Sequence, residues 1–294
     1  EIETLPFDPG PENEPGLARW LYRLRCVPQR NFFASVGKER RAIERWVRAR
    51  KPDVILCHYG FIALRMLPIA KTLGIPLVTH FHGLDLSSTL GNHWYRSSLL
   101  HCLRAFDAII VVGSHQQRWI LDRGESAGRV HLIPCGVPVG EHSPSSQPKG
   151  AGTRFLAVSR LAESKGLDCT LDAFETVLRE HAEARLTIVG DGPLRAELER
   201  RAVTLGIHER VQFTGNVPWN AIRSFFEQAD VFVQHSVVDR WGEIEGFGVS
   251  LAEAAASGLP VVSTRCGGIV DQVVEGRTGF LVEQRDVTAM AERM

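Results

Sequence analysis

The stretch "EIEGFGVSLAEAAASGLPVVST", residues 243–264, has the pattern of a loop followed by a helix and a strand. The apolar residues after Phe247 recur at helical spacing, and Gly258 stands where a helix commonly ends. The residues PVVST that follow are rich in the β-branched side chains of strands. Because VFVQHS at 231–236 has a strand pattern as well, the stretch predicts one strand–helix–strand unit of a parallel sheet.

The same alternation runs along most of the chain. Strand-like runs lie at 54–57, 76–81, 108–112, 130–134, 154–158, 185–189, 211–213, 231–234 and 260–264. Helical patterns separate them, which predicts an α/β protein with two Rossmann-like parallel-sheet domains facing a cleft. The segment EHSPSSQPKGAG is rich in Ser, Pro and Gly. It places a linker at 143–150, between an N-terminal domain at 1–142 and a C-terminal domain at 151–294.

Composition narrows the class of protein. The 294 residues carry 34 basic and 34 acidic side chains, so no net charge points to a nucleic-acid partner. The six cysteines are scattered singly, which argues against a disulfide framework and favours a cytoplasmic location. No apolar run reaches the ~18 residues of a membrane span. The chain starts without Met and stops within a helical pattern, so we expect a sequence shortened at both ends.

Two carboxylates stand eight positions apart in the opening stretch, Glu245 at the expected helix mouth and Glu253 further along the helix. The backbone amides of Gly246, Phe247 and Gly248 lie between them at the positive end of the helix dipole, which favours an anion. Phosphates of a nucleoside diphosphate sugar fit this pattern, with Glu245 toward the sugar and Glu253 toward the ribose. The alternative is one helix-terminal acid and one buried structural glutamate.

Three further strand-end loops carry candidate residues for the same ligand. VSRLAESKGLD supplies Arg160 and Lys165, two cations that suit a diphosphate leaving group, unless they are ordinary surface charges. GDGPLR supplies Gly190 and Gly192, which also suit a plain turn. FTGNVP places Val217 where a strand-end loop could flank a base.

The first half offers one such loop, VTHFHGLDL at 78–86. His80 and His82 share a face by the two-residue period of a strand, and Asp85 follows them. Histidine and carboxylate can bind zinc, but a third clear ligand is missing from the sequence, so we predict no metal site. The expectation is one histidine packed inside and the other facing the cleft.

Taken together, these motifs resemble those of retaining GT-B glycosyltransferases of the large group called family 4. EGFGVSLAE resembles their E-x7-E motif, SRLAESKG their R-x4-K motif, and GDGPLR and FTGNVP two of their turns. THFHGLD and SGLPVVSTRCGGIVDQVVEGRTGFLV resemble their N-terminal and C-terminal signatures. The likeness covers most of 53–285. It looks closest to enzymes that build exopolysaccharide or lipid-linked oligosaccharide.

The resemblance implies hexose transfer from a UDP- or GDP-linked sugar to a hydroxyl of a glycan or lipid-linked acceptor, with no cofactor or metal. Arg160 and Lys165 would then stabilise the departing diphosphate and Glu245 would contact the donor sugar. His82 would lie near the anomeric carbon and Asp85 would support it. The family's first strand and glycine-rich loop are not recognisable in 1–50.

Other readings of the sequence stay open. The fold could serve an epimerase or hydrolase of sugar nucleotides, or a non-catalytic protein that binds a sugar nucleotide or a partner. A nicotinamide dehydrogenase is disfavoured because no complete GxGxxG is present. Residues 37–53 read as an arginine-rich helix with an apolar stripe, either packed on the domain or lying on an anionic membrane.

Overall fold

The computed structural model describes residues 30–141 and 152–294, which form two compact α/β units. The first unit comprises the residues up to Val111 and Gln116–Ile133, and the second comprises Val112–His115 and Pro134–Met294. The predicted linker at 143–150 lies outside the described residues. The α/β class expected from the strand–helix alternation is confirmed.

The N-terminal unit contains a parallel sheet with the order β1-β2-β3-β4. Its strands are β1 (Ile55–His58), β2 (Leu77–Phe81), β3 (Ala108–Val111) and β4 (Val130–Leu132). The helices along this part of the chain are α1 (Gly37–Arg50), α2 (Gly60–Leu73), α3 (His93–Cys102) and α4 (Ser114–Leu121). Strands and helices share one apolar core, whose largest fully buried side chains include Phe81, Tyr95 and Phe106.

Helix α1 is the arginine-rich segment of the sequence. Its Ile43 and Val47 are buried in the core of the unit, and Trp46 is half-buried with the Arg50 guanidinium 4.0 Å from the ring centroid. The apolar stripe therefore packs within the unit. The face of α1 left to solvent is cationic.

The C-terminal unit contains a six-stranded sheet in which every pairing is parallel. Its strands are β5 (Arg154–Val158), β6 (Arg185–Val189), β7 (Val211–Gly215), β8 (Val231–Gln234), β9 (Val261–Thr264) and β10 (Gly279–Val282). Its helices are α5 (Leu167–Glu180), α6 (Arg195–Thr204), α7 (Trp219–Gln228), α8 (Val249–Ala256) and α9 (Val287–Arg293). Two apolar clusters contribute to its core, one including Phe155 and Phe174 and the other Phe226 and Phe232.

The strand order of this sheet, β10-β9-β8-β5-β6-β7, reverses direction once. The chain runs outward from β5 through β6 to β7, returns to β8 on the other side of β5, and then continues outward to β10. Open parallel sheets bind ligands at such a reversal, beyond the carboxyl ends of the two strands that flank it. The topology thus singles out the loops after β5 and β8.

Helix α8 begins later than the sequence pattern predicts. It spans Val249–Ala256, so Glu253 lies on the helix whereas Glu245 lies in the loop before it. The helix is delayed because Gly248 adopts a left-handed conformation with φ 87° and serves as the N-cap.

A buried histidine makes the C-terminal unit sensitive to acid. His235 is fully buried, its Nε2 accepts a hydrogen bond from the Arg285 amide at 2.8 Å, and its Nδ1 lies 2.7 Å from the Met290 sulfur. Burial lowers the pKa of His235 to about 4 from an ordinary value of 6.5. Its neutral form is therefore the one that the fold accommodates.

We expect stability to fall as the pH drops from 6.5 to 4, since the unfolded chain binds a proton at His235 in this range and the folded unit does not. The loss from this group is at most about 3.5 kcal/mol. Urea unfolding at several pH values measures it. His235→Gln should be less stable at pH 7 yet lose less stability on acidification; an unchanged slope would contradict the assignment.

No helix within 30–141 or 152–294 has the length and apolar character needed to cross a membrane.

Candidate functional site

The predicted residues Lys165 and Glu245 meet where the strand order reverses. Lys165 lies in the turn after β5, Glu245 lies in the loop after β8, and Nζ and Oε2 are 2.5 Å apart. The amide of Gln234, the last residue of β8, donates to the same carboxylate oxygen over 3.1 Å. An ammonium group has three donor hydrogens, so Lys165 can bind an anion while it stays bonded to Glu245.

Arg160 lies in the same turn as Lys165. It is exposed, and in the part of the chain that the structure describes it forms no ion pair. Its guanidinium is thus available to a ligand. The turn itself is fixed by Gly166, because a Cβ there would lie 1.9 Å from the carbonyl oxygen of His235. The turn after β5 thus holds two cations, Lys165 in an ion pair with Glu245 and Arg160 without an ion pair in the described ranges.

The backbone amides of Gly246, Phe247 and Gly248 precede the first turn of α8 and donate to no other group within the described ranges. The loop is fixed through one of its carbonyl groups, because the side-chain amide of Gln272 donates to the carbonyl oxygen of Phe247. Gly268 allows the close approach, because a Cβ there would lie 2.2 Å from the oxygen of Gly246. Amides without a partner before a helix suit an anion, and binding of a phosphate by these three amides stays a prediction.

Glu253 is 3% exposed on α8, and its Oε1 has no hydrogen-bond partner in the described part of the chain. Burial raises the pKa of this carboxyl. Buried polar atoms are usually paired, so an unpaired carboxylate oxygen indicates either a ligand hydroxyl or a water as the missing partner. The role of Glu253 toward a ribose therefore stays a prediction.

Gly190 and Gly192 have a local structural reason to be glycine. A Cβ at Gly190 would lie 2.0 Å from the Ser159 oxygen, and one at Gly192 would lie 2.4 Å from the Leu161 oxygen. The turn after β6 therefore packs on the turn that carries Arg160. Val217 is half-buried against the apolar cluster beneath β8. Contact of these three residues with a donor stays a prediction.

In the N-terminal unit, Asp85 holds two loops together. It is fully buried; its Oδ1 accepts from the amides of His82 at 3.0 Å and Gly83 at 3.1 Å, and its Oδ2 accepts from Gly60 at 2.9 Å. Burial raises the pKa of Asp85, and the backbone hydrogen bonds oppose this shift. Asp85 thus positions the backbone of His82 rather than its ring.

Because three amides donate to one carboxylate, Asp85→Asn should lower the free energy of unfolding by about 3 kcal/mol. An asparagine offers one acceptor oxygen, so at least one buried amide loses its partner. Chemical denaturation measures the change. Asp107→Asn is the matched control, since Asp107 is exposed and, among the described residues, accepts only from the Leu77 amide at 2.8 Å, which predicts about 1 kcal/mol. Equal losses would contradict this role of Asp85.

The structure adds a histidine that sequence reasoning missed. His58 ends β1 opposite His80 of β2, and its Nδ1 lies 2.8 Å from Nε2 of His82. The ring centroids of His80 and His82 are 4.2 Å apart. The statement that a third candidate ligand is missing is therefore wrong. His58 directly follows the strand-like run VILC. Because parallel strands end at one edge of their sheet, this position could have indicated that His58 lies near His80 and His82.

His80 and His82 do not divide into an inward and an outward ring as expected. Both are half-buried, and the Nε2 of His80 is buried with no partner among the described residues. Burial lowers the pKa of His80 to about 4, helped by the neighbouring rings. Burial also lowers the pKa of His82, while the charge of Asp85 opposes this shift. These rings are therefore neutral near pH 7.

Comparison with known families assigns both halves of the chain. Residues 140–294 match the model of glycosyl transferases group 1, and residues 4–141 match that of glycosyltransferase family 4. The first match alone covers more than half of the 294 residues.

Curated relatives include glycosyltransferases named for polysaccharide biosynthesis and for phosphatidylinositol glycosylation. The putative colanic acid biosynthesis glycosyltransferase WcaL of Escherichia coli K12 is 27% identical over 248 residues, which is 83% of this chain and 61% of the relative. A GDP-mannose-dependent alpha-(1-6)-phosphatidylinositol monomannoside mannosyltransferase of Mycolicibacterium smegmatis is 36% identical over 177 residues, 57% of this chain and 46% of that one. The chain thus spans about 60% of the length of WcaL.

Solved structures have the same fold. HepE of Anabaena in complex with UDP superposes with a TM-score of 0.73 at 20% identity, covering 87% of this chain and 71% of that one. The lipopolysaccharide outer core galactosyltransferase WaaB gives 0.68 at 20% identity, covering 91% and 70%. The two Rossmann-like units are those of the GT-B fold, and the chain belongs to the glycosyl transferases group 1 family.

Proposed function

We propose that the protein transfers a hexose from a nucleoside diphosphate sugar to a hydroxyl group of a glycan or lipid-linked acceptor, with retention of anomeric configuration. The observation that carries the proposal is the assembly after β5 and β8. It combines the Lys165–Glu245 pair, the free charge of Arg160 and the unpaired amides before α8. Family membership supports the same reaction class.

The chemistry follows from the charges. As the bond between the anomeric carbon and the diphosphate oxygen breaks, negative charge grows on the leaving group. Arg160, Lys165 and the amides of 246–248 would stabilise that charge through charge-assisted hydrogen bonds. We assign Glu245 to the sugar hydroxyls and Glu253 to the ribose. The leaving phosphate can itself accept the proton that the acceptor hydroxyl loses.

We further propose that transfer is independent of a divalent metal. Protein cations supply the countercharge that a metal would otherwise give, and the sequence has no DxD motif. Excess EDTA should therefore leave the rate unchanged within a factor of about two. Loss of transfer in EDTA that Mg²⁺ or Mn²⁺ restores would contradict this part of the proposal.

For the donor we propose UDP or GDP as the nucleoside diphosphate. One relative's name specifies GDP-mannose, while HepE was solved in complexes with UDP and UDP-glucose. For the acceptor we propose a glycan or lipid-linked glycan, in line with the relatives that build polysaccharide or act on phosphatidylinositol mannosides. We assign His82 and Asp85 to the acceptor side of the reaction.

We also propose a cytoplasmic location with peripheral contact to the membrane. The five cysteines of the described part are free thiols, as a reducing compartment favours. The contact would use the cationic face of α1, where four cations and one acid line a depression of about 400 Å³: Lys38, Arg41, Glu44, Arg45 and Arg48. Attraction to anionic lipid would decrease as salt increases.

The test is donor-dependent transfer. The protein is incubated with UDP-glucose, UDP-galactose or GDP-mannose and with lipid-linked glycan from its source, and the product's anomeric proton is assigned by NMR. One donor should give an α-linked product. Release of free sugar without product would favour a hydrolase, epimerised nucleotide sugar would favour an epimerase, and donor binding without turnover would favour the non-catalytic alternative.

A further inference from the structure

Three histidine rings converge at one edge of the N-terminal sheet. His58 ends β1 in direct register with His80, the penultimate residue of β2, and His82 follows β2. One ring nitrogen from each histidine lies within 4.8 Å of the other two. Strand geometry therefore brings together three donor groups of one kind.

We propose that His58, His80 and His82 together bind one divalent transition-metal ion of the zinc class. The site goes beyond the proposed transfer reaction, which needs no metal. Three histidines leave a fourth position for water or another ligand, as in open zinc sites.

The spacing of the rings suits this assignment after a small closure. Nitrogens bonded to a tetrahedral zinc ion at about 2.0–2.1 Å lie about 3.3 Å apart. The Nδ1 of His58 and Nε2 of His82 are already closer, at 2.8 Å. Any wider spacing, which is at most 4.8 Å, must shrink by no more than about 1.5 Å, and the exposed ring of His58 has room to turn.

Two features of the surroundings favour a cation. The buried Nε2 of His80 has no hydrogen-bond partner in the described ranges. This nitrogen is therefore available to a ligand. The buried carboxylate of Asp85 fixes the backbone of His82 and brings a negative charge near the rings. Imidazole nitrogen prefers zinc, copper, nickel and iron over magnesium and calcium, which defines the class of ion.

The site has a consequence that rests on the proposed function. An ion bound to the ring of His82 would withdraw that ring from the acceptor side, so zinc should inhibit transfer and a chelator should restore it. Binding itself is measured without any turnover, so failure of the metal site and failure of the transferase proposal give different results.

The test uses cobalt(II) as a spectroscopic probe for zinc. Purified protein with a histidine-free tag is titrated with cobalt(II), and the visible absorption of the four-coordinate ion is followed. One equivalent should bind, and one equivalent of zinc should remove the band. His58→Asn should weaken binding by more than about 100-fold, since even loss of an outer partner of a ligand costs about 10–100-fold.

His131→Asn is the matched control, because His131 is an exposed histidine of the same sheet and lies outside the cluster. It should bind cobalt as the wild type does. Zinc should raise the melting temperature of the wild type and of His131→Asn but not that of His58→Asn. A folded wild type without a four-coordinate band, or a band that persists in His58→Asn, would overturn the proposal.

Discussion

Glu245→Ala should reduce transfer by about 10²–10³-fold, the size of effect found when one transition-state contact is removed. The carboxylate bonds to Lys165 and to the Gln234 amide, so its removal loosens a cation as well as the expected sugar contact. Its side chain is 11% exposed and that of Lys165 is 22% exposed. Water can therefore hydrate Lys165 in the variant. We expect the free energy of unfolding to fall by only about 1–2 kcal/mol.

The measurement is kcat/KM for transfer, with chemical denaturation of the same samples. Glu243→Ala is the control, because Glu243 lies in the same loop, is similarly half-buried, and its carboxylate has no ion pair in the described part of the chain. It should retain nearly full activity. Wild-type turnover in Glu245→Ala would contradict a role of Glu245 in transfer.

The double variant Arg160→Ala/Lys165→Ala should lose about 10²–10⁴-fold in kcat/KM. Each cation is expected to give the leaving diphosphate a charge-assisted hydrogen bond of about 1.5–3 kcal/mol. The effect should appear in donor affinity as well as in rate, because the ground-state diphosphate is already charged. Arg160 is exposed, so the fold should tolerate its loss.

Loss of two positive charges alone would weaken attraction to any anion, so the control removes two cations elsewhere. Arg185→Ala/Arg200→Ala does so at exposed positions of the same unit, at the start of β6 and on α6. It should change kcat/KM less than about threefold at physiological salt. Equal losses in the two double variants would assign the effect to net charge rather than to the site.

Much of the fold could be predicted because local patterns dominate parallel sheets. The β-branched runs RFLAV and RLTIV match β5 and β6 residue for residue. Strand β10 was not predicted, because the four residues GFLV contain one β-branched side chain and begin with a glycine. Its place in the sheet depends on pairing with β9, which is a tertiary contact.

The residues of the candidate site could largely be predicted from the sequence, but their arrangement in space could not. Lys165 and Glu245 could be identified because each follows a strand and lies beside a glycine. The strand order of the sheet then explains why the two side chains meet. His58 was missed because strand pairing, a tertiary contact, brings it beside His80. Gln272 was missed because a loop distant in sequence brings it to the carbonyl oxygen of Phe247. The start of α8 was misplaced because a left-handed glycine can delay a helix without changing the hydrophobic pattern.

The donor site is tested most directly by calorimetric titration of the protein with UDP, GDP and ADP in EDTA. We expect one of the first two nucleotides to bind with 1:1 stoichiometry, without metal, and Arg160→Ala/Lys165→Ala to abolish the heat signal. Absence of binding to a folded protein, or equal binding by the double variant, would contradict the assignment of the loops after β5 and β8 as the donor site.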